Sequence, residues 1–317
     1  MSRSEVEILE RGQHWLAEGE RVVLATVAYT WGSSPRPPGA VMVMSESGRI
    51  AGSVSGGCIE DELLARVRDD FPLGFETIEY NSDTTRTLPC GGRLLLTLEP
   101  LASLPDLATM MNALRDGASV VRRLDLEQRT VGWAPADDDA RTRLEDQILN
   151  VVYEPAWRLV VVGAGELASW VCRFAKLLDY TIEVCEPRPD YREAWPLGEF
   201  TVSDDYPDDF IAGRVCDGHT AIVALTHDPK VDDLAMLEGL RTRAFYLGAL
   251  GSGRTTAKRA ARLIEHFAMT EDDVKRIRGP IGIDLKTRKP QEIALAVMTD
   301  ITAARNGVAI TTERLPL

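Results

Sequence analysis

Nine residues near the middle of the chain constrain its fold more than any others: VVVGAGELA, residues 160–168. An apolar run enters Gly163-x-Gly165-x-x-Ala168 and continues as an amphipathic segment, which is the pattern of a parallel strand turning into a helix. Gly163 permits the tight turn, Gly165 lets backbone amides approach a phosphate, and Ala168 permits close packing of helix on sheet. A second strand ends on Glu186, 21 residues after Gly165 and placed to accept a bond from a ribose hydroxyl. DGHTAIVALTHD (217–228) and RAFYLGALGS (243–252) are two more apolar strands, each running into polar residues and a helix. This alternation implies a parallel sheet covered on both faces. Residues 153–317 are therefore expected to form a Rossmann-like, doubly wound domain.

The first half reads differently. SEVEILERGQHWLAEG is an amphipathic helix closing near Gly19, and RVVLATVAYTWG alternates as a strand rich in β-branched residues. SSPRPPG (33–39) is a stiff loop, because its three prolines fix the backbone. AVMVMSESGRIAGSVS is a hairpin about SESG, CIEDELLARVRDDF has helical spacing, and FETIEY and RLLLTLEPL are further strands. SVVRRLDLEQRTVGWAP adds another hairpin, and the acidic stretch 137–146 is expected to be a linker or surface helix. The fold class expected is α/β: an N-terminal α+β domain with linker over 1–152, then the Rossmann-like domain.

The chain has 317 residues, enough for two domains with separate cores, and 44% of them are hydrophobic. A net charge of −13 argues against unspecific nucleic-acid binding, which needs basic surface to neutralise phosphates. No apolar run reaches the roughly 18 residues that span a bilayer, and the N-terminus is acidic where a signal peptide is apolar. A cytoplasmic protein without membrane contact is expected. Five widely spaced cysteines, with no CxxC or HExxH pattern, support neither structural disulfides nor a sequence-local zinc site.

Cys58 follows Gly56-Gly57 at a predicted helix entrance, where unpaired amides and the dipole favour a thiolate. Cys90 precedes Gly91-Gly92 at a strand start. With Arg36 from the proline loop and the hydroxyls of Ser53 and Ser55, these residues suit a soft, sulfur- or metal-containing anionic ligand. Each cysteine equally suits a small buried hydrophobe, the reading adopted for Cys172, Cys185 and Cys216. In the second half, His227 lies at the carboxyl end of a strand, where doubly wound sheets bind ligands, or else it caps the next helix with Asp228. Gly251, Ser252, Gly253 and Arg254 form a second anion cradle or an ordinary helix cap. PIGIDL (280–285) suggests only a loop docked on the sheet edge. An NAD(P)-dependent oxidoreductase would use Gly163, Gly165 and Glu186, with His227 as acid or base.

GSSPRPPGAVMVM, GRIAGSVSGGCIEDEL and PCGGRLLLTLEPL, followed by EPRPDY, LTHDPKVD, YLGALGSGRT and PIGIDLKTRKPQEIALAVMTDI, stand in the order of one family. The chain resembles the xanthine dehydrogenase accessory factor family, XdhC/CoxI, over nearly its whole length. The resemblance implies a non-enzymatic chaperone that binds molybdenum cofactor (molybdopterin, in mononucleotide or dinucleotide form). It implies support of cofactor sulfuration by a partner cysteine desulfurase and delivery to a molybdenum hydroxylase client, with a homodimer as the expected assembly. Cys58 and Cys90 are then expected to line the cofactor site as metal ligands, with charge from Arg36 and backbone donors at Ser55, Gly56, Gly57 and Gly91. Gly163, Gly165, Glu186, His227, Gly251 and Arg254 complete the expected set. Glu166 stands where many relatives carry His, Gly253 where many carry a basic residue, and LKTR (285–288) where small residues are usual.

Overall fold

The computed structural model describes residues 3–32, 36–57, 59–81, 93–101, 112–114, 118–137 and 140–310. It divides into two compact units, Met1–Ala156 and Trp157–Leu317.

In the first unit, α1 (Arg3–Ala17) precedes β1 (Val22–Trp31), β2 (Val41–Ser45) and β3 (Ile50–Gly52), then α2 (Glu60–Asp69), β4 (Glu76–Tyr80) and β5 (Arg93–Leu101). These strands form an antiparallel sheet in the order β3-β2-β1-β5-β4. β1 is buried on both sides, so its alternating side chains divide between two cores. Val22 and Leu24 join α1 residues Leu9 and Trp15 on one face. Val23, Ala25 and Val27 join α2 residues Leu63 and Val67 on the other.

The hairpin predicted over 119–135 is β6 (Val120–Asp125) and β7 (Thr130–Pro135). The expected linker or surface helix over 137–146 is not found among the described residues. Instead β8 (Arg143–Glu145) and β9 (Ile148–Tyr153) extend the hairpin into a second sheet, β7-β6-β9-β8. Acidic residues masked a strand pattern whose inward positions, Leu149, Val151 and Tyr153, pack into the α1-side core.

The second unit runs β10 (Arg158–Val162), α3 (Glu166–Leu177), β11 (Thr181–Cys185), α4 (Pro189–Glu193), β12 (Val202–Ser203), α5 (Pro207–Ala212), β13 (Thr220–Ala224), α6 (Pro229–Leu240), β14 (Tyr246–Ala249), α7 (Gly253–Phe267), α8 (Glu271–Lys275), β15 (Ile277–Arg278) and α9 (Pro290–Arg305). Its six parallel strands lie in the order β12-β11-β10-β13-β14-β15, the doubly wound arrangement expected. Leu159 and Val161 of β10 face α3 and α9, while Val160 and Val162 face α5 and α6. PIGIDL docks on the sheet edge as its pattern suggests: Ile281 is buried, and its amide donates to Ala249 carbonyl at 3.2 Å.

Candidate functional site

Antiparallel pairing directs the predicted site segments of the first unit toward one end of the five-stranded sheet. β1 finishes there at Trp31, opposite Arg93, where β5 begins. β4 finishes there with Tyr80 opposite Leu94. β2 starts on the same side but five residues short of Trp31, with Val41 opposite Thr26, and β3 runs in that direction to Gly52 opposite Met42. The half-buried Arg36, the loop 53–59 and the chain flanking 82–92 therefore leave the sheet in the same direction, the first two from strands that end short of Trp31. Cys58, Cys90 and Gly91 lie outside the described residues.

The loop is organised by a residue that sequence reasoning passed over. Glu60, the first residue of α2, is 8% exposed. One carboxylate oxygen accepts from Ser53 Oγ at 2.6 Å and from the amides of Val54 and Ser55 at 3.1 and 2.9 Å. The other accepts from Ser55 Oγ and from the amides of Gly57 and Ile59 at 3.0 and 3.2 Å. Burial alone raises the carboxyl pKa, but the Ser53 and Ser55 hydroxyls and the loop amides outweigh it and hold Glu60 at about 2.

This changes the roles expected of two glycines. The Gly57 amide donates to Glu60, and the Gly56 amide donates to Ser53 Oγ at 2.9 Å, so both hold the loop together rather than facing an external anion. The positive end of α2 is likewise met by Glu60, Asp61 and Glu62 in its first turn, which removes the dipole argument for a thiolate at position 58. At the end of β1, Trp31 is 41% exposed, with the Arg93 guanidinium 4.6 Å from its ring centroid and the Tyr29 ring at 4.0 Å. Arg93 is held in turn by Glu79, its Nε donating at 2.9 Å.

In the second unit the predicted residues meet at the carboxyl edge of the parallel sheet. The strand order reverses between β10 and β13, the position where doubly wound sheets form a ligand crevice. Gly163 follows β10 with φ +117°, and a Cβ there would lie 3.0 Å from Thr226 Cγ2 and 3.1 Å from the Leu225 carbonyl carbon. The loops after β10 and β13 can touch only because residue 163 lacks a side chain. Gly165 is unlike it, since a Cβ there would meet nothing within 4 Å. His227 is exposed and held at φ +63°, while the capping role falls to Asp228, which accepts from the Lys230 amide at 2.9 Å. Gly251 has φ +139° at the end of β14, Ser252 caps α7, and Arg254 is exposed in its first turn. Buried Arg259 ties this edge from below, reaching Asp233 at 2.8 Å and the Leu250 carbonyl at 3.3 Å.

Glu186 does not serve as the open ribose acceptor expected of it. The residue is fully buried, and each oxygen already accepts two bonds. Arg188 amide and Nε reach one oxygen at 3.0 and 2.7 Å, while Ala164 amide and Arg188 Nη2 reach the other at 3.2 and 2.7 Å. A carboxylate has about four acceptor positions, so this one is filled. Burial pushes its pKa up, and Arg188 together with the Ala164 amide reverses that and holds it below the ordinary carboxylate range. Cys172, Cys185 and Cys216 are the buried hydrophobes expected. Burial drives the first two thiols up to about 12 and raises the third. Among the described residues, no group of three or more His, Cys, Asp and Glu is placed to hold a metal ion, and no helix is long and apolar enough to cross a membrane.

An antiparallel unit with a glycine-serine loop at one sheet end, joined to a Rossmann unit, defines the architectural class. The model of the XdhC Rossmann domain matches residues 159–301, and that of the XdhC and CoxI family matches residues 15–80. Molybdenum cofactor insertion chaperone PaoD of Escherichia coli K12 is 30% identical over 295 residues, which cover 92% of this chain and 85% of PaoD. A Bacillus subtilis 168 protein described as a probable component of xanthine dehydrogenase is 25% identical over 327 residues, covering 93% of this chain and 96% of its own. A solved Bacillus halodurans structure described as a xanthine dehydrogenase has the same fold, with TM-score 0.77 at 22% identity, 99% of this chain and 98% of that one being covered. The chain belongs to the XdhC and CoxI family.

Proposed function

We propose that this protein is a carrier of molybdenum cofactor: it binds the molybdopterin cargo, shields it and passes it to a molybdenum hydroxylase of the xanthine dehydrogenase type. The observation that carries the reading is that the Arg36 loop, the 53–59 loop and both flanks of segment 82–92 leave the five-stranded sheet in the same direction. It stands beside 30% identity to an insertion chaperone over 92% of the chain. In the proposal Cys58 and Cys90 offer soft sulfur to the metal, and Arg36 offers charge. The cargo also carries a phosphate and a flat pterin. Gly57 and Gly165 fit close approach of such a group, because a Cβ at either would meet nothing within 4 Å. Within the second unit taken by itself, Gly165, Gly251 and Arg254 are the candidate phosphate partners; in the first, the Gly56 and Gly57 amides already have acceptors. Sulfuration by a separate cysteine desulfurase, a homodimeric assembly and a cytoplasmic location belong to the same proposal.

The dehydrogenase alternative loses its ribose acceptor with Glu186 filled. Expression in a molybdopterin-producing host, gentle purification and assay of pterin and molybdenum test the carrier reading. Bound pterin is expected in the native protein, with Cys58→Ala and Cys90→Ala each lowering it about tenfold, near 1.4 kcal/mol. Absence of pterin, together with saturable NADH binding and turnover of a carbonyl substrate, would overturn it.

A further inference from the structure

We infer that Glu60 is the positioning residue of the 53–59 loop: its carboxylate gathers the amides of Gly57 and Ile59, and the reactivity of Cys58, which lies between them in sequence, depends on that set of bonds. The role of Cys58 rests on the carrier reading, and the clamp on geometry alone. Gly57 and Ile59, the residues flanking Cys58, donate their amides to the same oxygen of Glu60, at 3.0 and 3.2 Å. The second oxygen gathers the Ser53 hydroxyl and the Val54 and Ser55 amides, so one side chain receives the loop from end to end. Gly57 makes this path feasible with φ +110°. Ser55 Oγ adds a further brace by accepting from the Ile59 amide at 3.1 Å. A helix start with three adjacent acids has no need of such a bonding pattern. Asp61 and Glu62 supply the same charge to the same turn yet are exposed, whereas Glu60 is buried and faces the loop.

Asp61→Asn is therefore the control that removes equal charge without touching the loop. The test uses the full chain in a Cys90→Ser background and two readouts. The first is amide hydrogen exchange at Gly57 and Ile59, with Leu24 and Leu96 in the strand core as reference. The second is the rate at which a maleimide labels Cys58, the thiols at 172, 185 and 216 being buried. Glu60→Gln places an amide donor among donors, and hydrogen bonds to a charged acceptor of this kind resist opening strongly. Exchange at Gly57 and Ile59 is expected to quicken about tenfold or more, with the core amides unchanged. The labelling rate of Cys58 should shift by a similar factor, and Asp61→Asn should move neither. Equal effects from Glu60→Gln and Asp61→Asn would overturn the clamp, as would an unchanged labelling rate after the two amides are freed. If Glu60→Gln does not fold, exchange in the native chain decides: protected Gly57 and Ile59 amides support the clamp, and free-peptide rates overturn it. Pterin retained by Cys58→Ala while Glu60→Gln still alters labelling would sink the carrier role of Cys58 and leave the clamp standing.

Discussion

Two glycine loops in this molecule each lean on a buried glutamate, and the two glutamates differ in what balances them. Glu186 takes one amide from its loop, that of Ala164, and its charge is met by a two-pronged contact with Arg188. Glu60 takes amides from Val54, Ser55, Gly57 and Ile59, and its partners among the described residues are hydroxyls and amides, with no cation. The Rossmann loop is thus propped at one point, with the Glu186 charge met by Arg188 and Gly165 open beside the exposed Glu166. The cysteine loop is held along its length around a carboxylate that no described cation meets. The contrast removes Gly56 and Gly57 from the anion-binding part of the proposal and leaves Gly165 as the open glycine of the second unit.

Removing each glutamate should expose the difference most clearly. Glu186→Ala strands the Arg188 guanidinium, which is 26% exposed, and is expected to destabilise the second unit by about 4 kcal/mol. Glu60→Ala strands six neutral donors, which water can reach more cheaply than it can a guanidinium, and should cost the first unit less, about 3 kcal/mol. Native-state hydrogen exchange reads the units separately, and the reverse order of costs would break the comparison.

The glycines offer the next contrast. Gly163→Ala forces a side chain into left-handed backbone and against Thr226 and Leu225, for an expected loss of about 3 kcal/mol. Gly165→Ala meets open space at an ordinary φ of −86° and should cost less than about 1 kcal/mol. A fall in bound pterin for Gly165→Ala would therefore report the ligand and not the fold.

Acid sharpens the picture for Glu60. Its pKa is lowered from the usual value to about 2, so its contribution is complete above the unfolded value near 4.5 and is lost as pH falls toward 2. By pH 3 the first unit should lose about 2 kcal/mol through this group. The pH dependence of exchange at β1 amides measures it, and Glu60→Gln should flatten that curve. No flattening would mean that the loop does not depend on the charge.

His227 carries the smallest expected effect. Its φ of +63° is costly for a residue with a side chain, and His227→Gly should raise stability of the second unit by about 1 kcal/mol. Thermal unfolding checks this. A gain in stability accompanied by lost pterin would mark the strain as serving a ligand.

Much of the architecture was readable from particular residues. VVVGAGELA and the apolar runs before Glu186, His227 and Gly251 led to the doubly wound sheet, because buried parallel strands and their glycine turns are local patterns. β12 and β15 were not readable, since two residues contain no periodicity and these strands exist only by pairing with β11 and β14. β8 and β9 were hidden by surrounding acids, although Leu149, Val151 and Tyr153 alternate as a half-buried strand should. Glu60 looked like one acid among three in GGCIEDEL.

Sequence alone settles most of the longer strands of both units, where glycine must stand in the turn after β10, and that Cys58 and Cys90 each follow or precede a glycine pair. Those properties follow from backbone sterics and side-chain periodicity within a few residues. Strand pairing, which joins positions far apart in the chain, is what sends the Arg36 loop, the 53–59 loop and the flanks of 82–92 out of the sheet in one direction. The tertiary structure also decided which donors and acceptors remain for a ligand. A carboxylate's capacity is filled or left open by neighbours in space, and here Glu60 and Glu186 are both filled.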